Sequence, residues 1–228
     1  MTMAEDDAGM PNRAALGGGV RAEGAGLPAR VPRVHNRHAA LMAAAASVFR
    51  DHGYGLTTVR DIALATGMTA GAIYYHYPSK ADLLRAVYED AVREANAAFE
   101  AAVSGAADPW ERLERAVAAH LEIMLGRTKG GPAFAGVFVK VQPHDFPPEH
   151  HAALTALRNG YEDRFRALIE TLPLRRGVDR SLLRLHLVGS LNHVPIWYRP
   201  QGRLAPGTIA RRIVGMLRAG VEAAPAGA

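Results

Sequence analysis

The chain contains no cysteine. That excludes disulfides, thiolate catalysis and Cys-ligated metal. It has no apolar run near the ~20 residues that cross a bilayer, although 49% of its residues are hydrophobic. No basic-then-apolar leader opens the sequence, because Glu5, Asp6 and Asp7 stand where positive charge would be needed. There is no His-Glu-x-x-His, Walker loop or nucleophile elbow. Glu149, His150 and His151 are the densest cluster of metal-capable groups, but neighbours on a helix diverge by about 100° and do not share a face. The absences predict a cytoplasmic protein that is neither an enzyme nor membrane-bound, with no cofactor and no catalytic or metal site.

What is present is a chain of 228 residues with net charge +5, which favours an anionic partner such as nucleic acid. The charge is uneven. Residues 1–33 balance four Arg against four acids. Residues 34–85 hold five Lys/Arg, three acids and four His, and residues 174–218 set nine Arg against the single acid Asp179. That arginine-rich stretch is either a solvated helical face or a groove for an anionic ligand.

Hydrophobic periodicity predicts an all-α fold of about nine helices with no strand. Residues 1–33, rich in Gly, Ala and Pro, bury too little to fold and read as a disordered extension. Arg30 and Arg33 there could reach a minor groove. A first helix over 35–52 places Leu41, Ala45, Val48 and Phe49 on one face. A long helix from Lys80 to about Val103 follows the short helices described below. Asp108-Pro109-Trp110-Glu111 starts the next, with Leu113, Val117, His120, Leu121 and Met124 inward. A short helix is expected over 133–141. Further helices cover 149–172, 179–198 and 206–221. Residues 223–228 read as a disordered tail.

The informative stretch is Leu56 to Leu84, LTTVRDIALATGMTAGAIYYHYPSKADLL. Thr58-Val59-Arg60-Asp61 fits a capping box, and Val59, Ile62 and Ala63 share the face behind it. Gly67 suits a left-handed helix end. Thr69 can cap a second short helix with Ile73 buried, and Pro78 stops it. Ser79-Lys80-Ala81-Asp82 caps the helix that follows. Two short helices joined through a glycine make a helix-turn-helix, the second being the recognition helix. TTVRDIA, the Gly67–Gly71 turn, IYYHY and SKADLL closely resemble the DNA-binding motif of the TetR family of bacterial transcriptional repressors over residues 36–88. The resemblance implies a DNA-binding domain over 34–82 and a helical ligand-binding and dimerisation domain over 83–222. It also implies a homodimer joined by the last two helices.

Carried over from the family, Thr58, Arg60, Thr69, Gly71, Tyr74, Tyr75, His76 and Lys80 match DNA-contact positions. Ala70 lies at the same helix tip, where its methyl can meet a thymine methyl. Tyr77 reads as core. Gly189 to Pro200, GSLNHVPIWYRP, resembles a segment of TetR regulators of fatty-acid, steroid and aromatic-acid degradation, several of which bind acyl-CoA thioesters. Trp197 and Arg199 could hold an adenine face and a phosphate, or else lie at a dimer core and a surface cap. The resulting expectation is a repressor released from palindromic operator DNA by a small apolar effector, with an acyl-CoA thioester as the specific candidate. The lining would be Met124, Phe134, Phe138, Phe146, Tyr161, Phe165, Asn192 and Trp197, with Arg184 and Arg199 on the phosphates. A constitutive DNA binder and a regulator answering to a neutral drug are the alternatives.

Overall fold

The protein is seen in a computed structural model that describes residues 33–128, Val137 and residues 146–223. Among the described residues there are eight helices and no named strand. They are α1 (Arg33–Leu56), α2 (Val59–Thr66), α3 (Ala70–His76), α4 (Lys80–Val103), α5 (Pro109–Met124), α6 (Pro148–Glu170), α7 (Arg180–Trp197) and α8 (Pro206–Val221). Of the short helix expected over 133–141 only Val137 is among the described residues, and it is buried.

The helix starts are local chemistry. Thr58 accepts from the Asp61 amide while Asp61 accepts from the Thr58 amide, a complete capping box. Thr69, Ser79, Asp108 and Asp179 cap α3, α4, α5 and α7 through side-chain oxygens. Pro109, Pro148 and Pro206 stand in the first helical turn, where the missing N–H costs nothing. Gly67 ends α2 at φ 65°, and the Met68 amide reaches back to the Ala63 carbonyl. The sequence predicts a first helix that ends at residue 52. The backbone does break there, at Gly53 with φ 75° and ψ 169°, and one more turn follows to Leu56.

That break exposes carbonyls that need partners. The Thr57 hydroxyl donates to Gly53 O, and the Lys80 ammonium donates to Tyr54 O at 2.7 Å and Thr57 O at 2.9 Å. The ammonium also sits 4.2 Å from the centre of the Tyr54 ring. The start of α4 thus clamps the turn that aims α2.

Two hydrophobic clusters divide α4 between them. The first joins Leu41, Met42 and Phe49 of α1 to Ile62, Ile73 and the α4 residues up to Val92. The second begins at Ala95 and runs through α5 to α8, with Trp110, Leu121, Phe165, Leu187 and Ile209 among its members. Phe146 and Leu154, far along the chain, belong to the first cluster. The start of α6 therefore packs into the half that holds α1 to α3.

Candidate nucleic-acid interface and effector cavity

The helix-turn-helix turns a polar edge to solvent. Ile73 is fully buried and anchors α3 to α1 and α2. Around it, Tyr74 and Tyr75 are exposed, Tyr75 at 85% of its surface, with its ring edge-on to His76 at 5.1 Å. Thr69, Gly71, Ala72 and His76 are exposed as well, and Ala70 is half-buried. A side chain added at Gly71 would meet nothing within 4 Å. Neither its backbone conformation nor packing within the chain asks for glycine there. A glycine in an exposed helix costs up to about 1 kcal/mol against alanine, so its rationale lies in what approaches from outside.

Thr58 and Arg60 are exposed at the start of α2. The hydroxyl and amide of Thr58 both engage Asp61, at 2.7 Å and 2.8 Å. These bonds hold the Asp61 carboxyl below its ordinary range. The Thr58 side chain is thus committed to fixing the start of α2. Lys80 also differs from the sequence reading, since two of its three N–H groups point inward to carbonyls. Tyr77 is half-buried, and its hydroxyl lies 3.1 Å from His38 Nε2.

The second site lies between α5, α6 and α7. His120, in phase with the apolar face of α5, is 4% exposed. Its Nδ1 is 3.0 Å from the Tyr161 hydroxyl of α6, and its Nε2 is 3.2 Å from Asn192 Oδ1 of α7. The imidazole stacks on the Tyr161 ring at 5.8 Å and meets Phe165 edge-on at 5.6 Å. Burial pushes the His120 pKa down to about 4, against a smaller upward pull from the Asn192 hydrogen bond. The imidazole is therefore neutral at neutral pH. Burial likewise pushes the Tyr161 hydroxyl above its ordinary range. A cavity of about 30 Å³ opens beside this trio and is lined also by Met124, Arg158, Glu162, Phe165 and Val188.

Of the expected effector residues, Met124, Tyr161, Phe165 and Asn192 converge on that cavity, and Phe134 and Phe138 lie outside the described residues. Phe146 is elsewhere: it stacks on Tyr54 at 6.1 Å and meets Tyr88 at 6.4 Å. Trp197 is 45% exposed and Arg199 is exposed, and neither lines the cavity. Arg184 stands behind the wall, 3.0 Å from Glu162, which also faces Arg158 at 3.6 Å. His120 is the polar residue that sequence reasoning passed over as merely inward-facing. Its signal was a histidine within an otherwise apolar stripe.

Along α7 and α8 an apolar face is open. Leu182, Leu185, Ile196 and Met216 are all more than half exposed. Beside them a groove of about 330 Å³ is lined by His186, Ser190, Ile213, Met216 and Leu217 among others. Among the described residues no helix is long and apolar enough to cross a membrane.

Comparison with known proteins joins the two sites. Residues 41–87 match the family model of bacterial regulatory proteins of the tetR family, and residues 106–221 match that of the tetracyclin repressor-like C-terminal domain. The HTH-type transcriptional repressor KstR2 of Rhodococcus jostii is 23% identical over 189 residues, covering 81% of this chain and 91% of that protein. The solved structure of superantigen PfiT is 31% identical with a TM-score of 0.65, covering 77% of this chain and 93% of that one. AibR, solved with isovaleryl coenzyme A and operator DNA, is 26% identical with a TM-score of 0.64, covering 79% of this chain and 97% of that one. With a reading motif at one end and a helical C-terminal body both matched, this chain belongs to the TetR family of bacterial regulatory proteins.

Proposed function

We propose that the protein is a cytoplasmic transcriptional repressor that binds palindromic operator DNA as a homodimer and is released by a small apolar effector. Residues 34–82 read the DNA, and residues 83–222 bind the effector and the second subunit, with α4 as the rod between them. The observation that carries the reading is the tip of α3. There Gly71, Ala70 and Thr69 leave room for a base edge, and Tyr74, Tyr75 and His76 stand ready for phosphates. The names of KstR2 as a repressor and of AibR as a complex with operator DNA support the same reading. Fold alone would not, since a similar fold carries the name of superantigen in PfiT.

The homodimer is supported by the exposed Leu182, Leu185, Ile196 and Met216, a patch that a second copy would cover. The finer effector reading is an acyl-CoA thioester, which the isovaleryl coenzyme A of AibR favours. Arg184, expected on its phosphates, does not line the cavity and stands behind Glu162, the carboxylate it shares with Arg158. Arg158, on the partly exposed side of the cavity, is the better placed cation.

The test is selection of bound sequences from a random duplex pool, followed by sizing of the complex. A two-fold symmetric site holding an even number of protomers is the expected result. Failure to enrich any sequence, or a monomer at micromolar concentration, would overturn the reading. Release of the selected duplex by acyl-CoAs of graded length then tests the thioester.

A further inference from the structure

Resting on the effector reading and deepening it, we propose that the cavity between α5, α6 and α7 recognises a neutral carbonyl or hydroxyl oxygen of the effector. The group that meets this oxygen is the amide of Asn192, at the end of the Tyr161–His120–Asn192 relay.

The argument starts from the hydrogen-bond inventory of the relay. A neutral imidazole donates from one nitrogen and accepts at the other. In one arrangement the Tyr161 hydroxyl donates to Nδ1 and Nε2–H donates to the Asn192 carbonyl oxygen. The Asn192 NH2 group then remains for the cavity and suits a carbonyl oxygen. In the reverse arrangement the Asn192 amide is turned over and donates to Nε2, while Nδ1–H donates to the Tyr161 oxygen. The Asn192 carbonyl then faces the cavity and suits a hydroxyl. A tautomer change and an amide turn interconvert the two with no change of charge. A ketone, an ester, a thioester or an alcohol therefore satisfies the same end.

A carboxylate does not belong there. The surroundings of His120 are the rings of Tyr161 and Phe165. Its own pKa is held near 4, so it supplies no positive charge at neutral pH. A carboxylate at Asn192 would be a charge against apolar rings, and Arg158, the cation on the lining, is already shared with the Glu162 carboxylate at 3.6 Å. The charged lining groups are Arg158 and Glu162, with Arg184 behind them, and the Arg158 side chain is 38% exposed. Any anionic end of an effector is directed to that outer side. The cavity itself, at about 30 Å³, has room for a water or two. A ligand must therefore part the helices, and exchanging relay hydrogen bonds for ligand ones lets α7 move without leaving Asn192 unpaired.

The experiment uses the full-length protein and five eight-carbon probes: 2-octanone, 1-octanol, octanoate, 1-octene and octanoyl-CoA. Dissociation constants are measured by calorimetry on wild type and Asn192→Leu, whose similar size preserves packing. Asn192→Ala serves if that variant melts early. The expected result is that the ketone, the alcohol and the thioester each lose about tenfold in the variant, the worth of one well-made hydrogen bond. Octanoate and 1-octene should stay within about twofold. Octanoyl-CoA binding more tightly than 2-octanone would identify the oxygen as a thioester carbonyl, and the reverse order as that of a free neutral compound. The proposal is overturned if the ketone is indifferent to Asn192→Leu, or if octanoate loses as much as the ketone. In those cases the effector site itself stands. If no probe binds wild type, the effector reading of this cavity falls together with the proposal, while operator binding is judged separately.

Discussion

The two halves of the molecule are built by different means. In the DNA-reading half the ends of α2 and the start of α3 are fixed by groups three to five residues apart: Thr58 with Asp61, Thr69 with the Ala72 amide, the Met68 amide with Ala63. In the C-terminal half the site exists only through contacts between distant segments. His120 meets Tyr161 across 41 residues of sequence and Asn192 across 72. The head is a locally specified surface that presents side chains outward. The body is a packed interior whose polar relay is formed by tertiary structure. Mutations should therefore act on the body through stability and ligand binding, and on the head through DNA with little cost in stability.

The largest expected effect is truncation of the body core. Phe165, fully buried, touches Phe99, Tyr161 and His120. Phe165→Ala should cost about 3–5 kcal/mol by urea unfolding. Amide exchange should accelerate in α5 and α6 and change least in α2 and α3, whose cluster is separate. Equal acceleration in both halves would break the division, and the shared α4 would then carry the loss across.

Next comes pH. His120 is neutral and buried, with a folded pKa of about 4, against about 6.5 in an unfolded chain. The unfolded state therefore binds more protons between these values, and stability falls as pH drops. The loss begins near pH 6.5 and is complete near pH 4, amounting to about 3 kcal/mol. Urea unfolding across this window should show wild type losing more than His120→Gln. Parallel curves would place the titration elsewhere.

A smaller effect belongs to the head. Thr58→Ala removes the hydroxyl that caps α2 and should cost about 1 kcal/mol. Operator affinity should fall with it, because α2 sets the angle at which α3 meets DNA. The Asp61 carboxyl, held below its ordinary range by Thr58, makes the cap weaken in acid. Thermal melts of wild type and variant should converge as pH falls through the carboxylate range.

This contrast also explains what could be read from the sequence. Caps, the left-handed Gly67 and the apolar phase of Ile62 and Ile73 are short-range signals, so the head was legible almost residue by residue. The helices of the body were legible too, and with them the inward side of Tyr161 and Phe165. Which inward residues meet was not. Phe146 is as apolar as Phe165, and nothing in its type tells which of two cores it enters; the start of α6 packs it against Tyr54 and Tyr88. Arg184 counted as an unopposed charge along the chain because its partner Glu162 lies on the neighbouring helix. The carbonyl partners of Lys80 were not legible either, because they depend on the break at Gly53.

The smallest expected change in stability separates contact from positioning at the DNA surface. Tyr75 is exposed and its ring touches His76, so Tyr75→Ala should shift stability by no more than about 0.5 kcal/mol. It should still weaken binding to the selected operator and to unrelated duplex by the same factor, because a phosphate contact carries no base information. Arg60, exposed and cationic at the start of α2, adds salt dependence to the same test. Arg60→Ala should lower the slope of log affinity against log salt by about one unit. Lys80→Ala tests the opposite case. Its ammonium already serves Tyr54 O and Thr57 O, so its loss should loosen the α1–α2 turn and lower both stability and affinity while leaving the salt slope unchanged. Titrations at several salt concentrations decide between the two roles. A slope that falls by a full unit in Lys80→Ala would mean that the ammonium leaves its carbonyls to meet the backbone of DNA, and that the turn beneath α2 rearranges on binding.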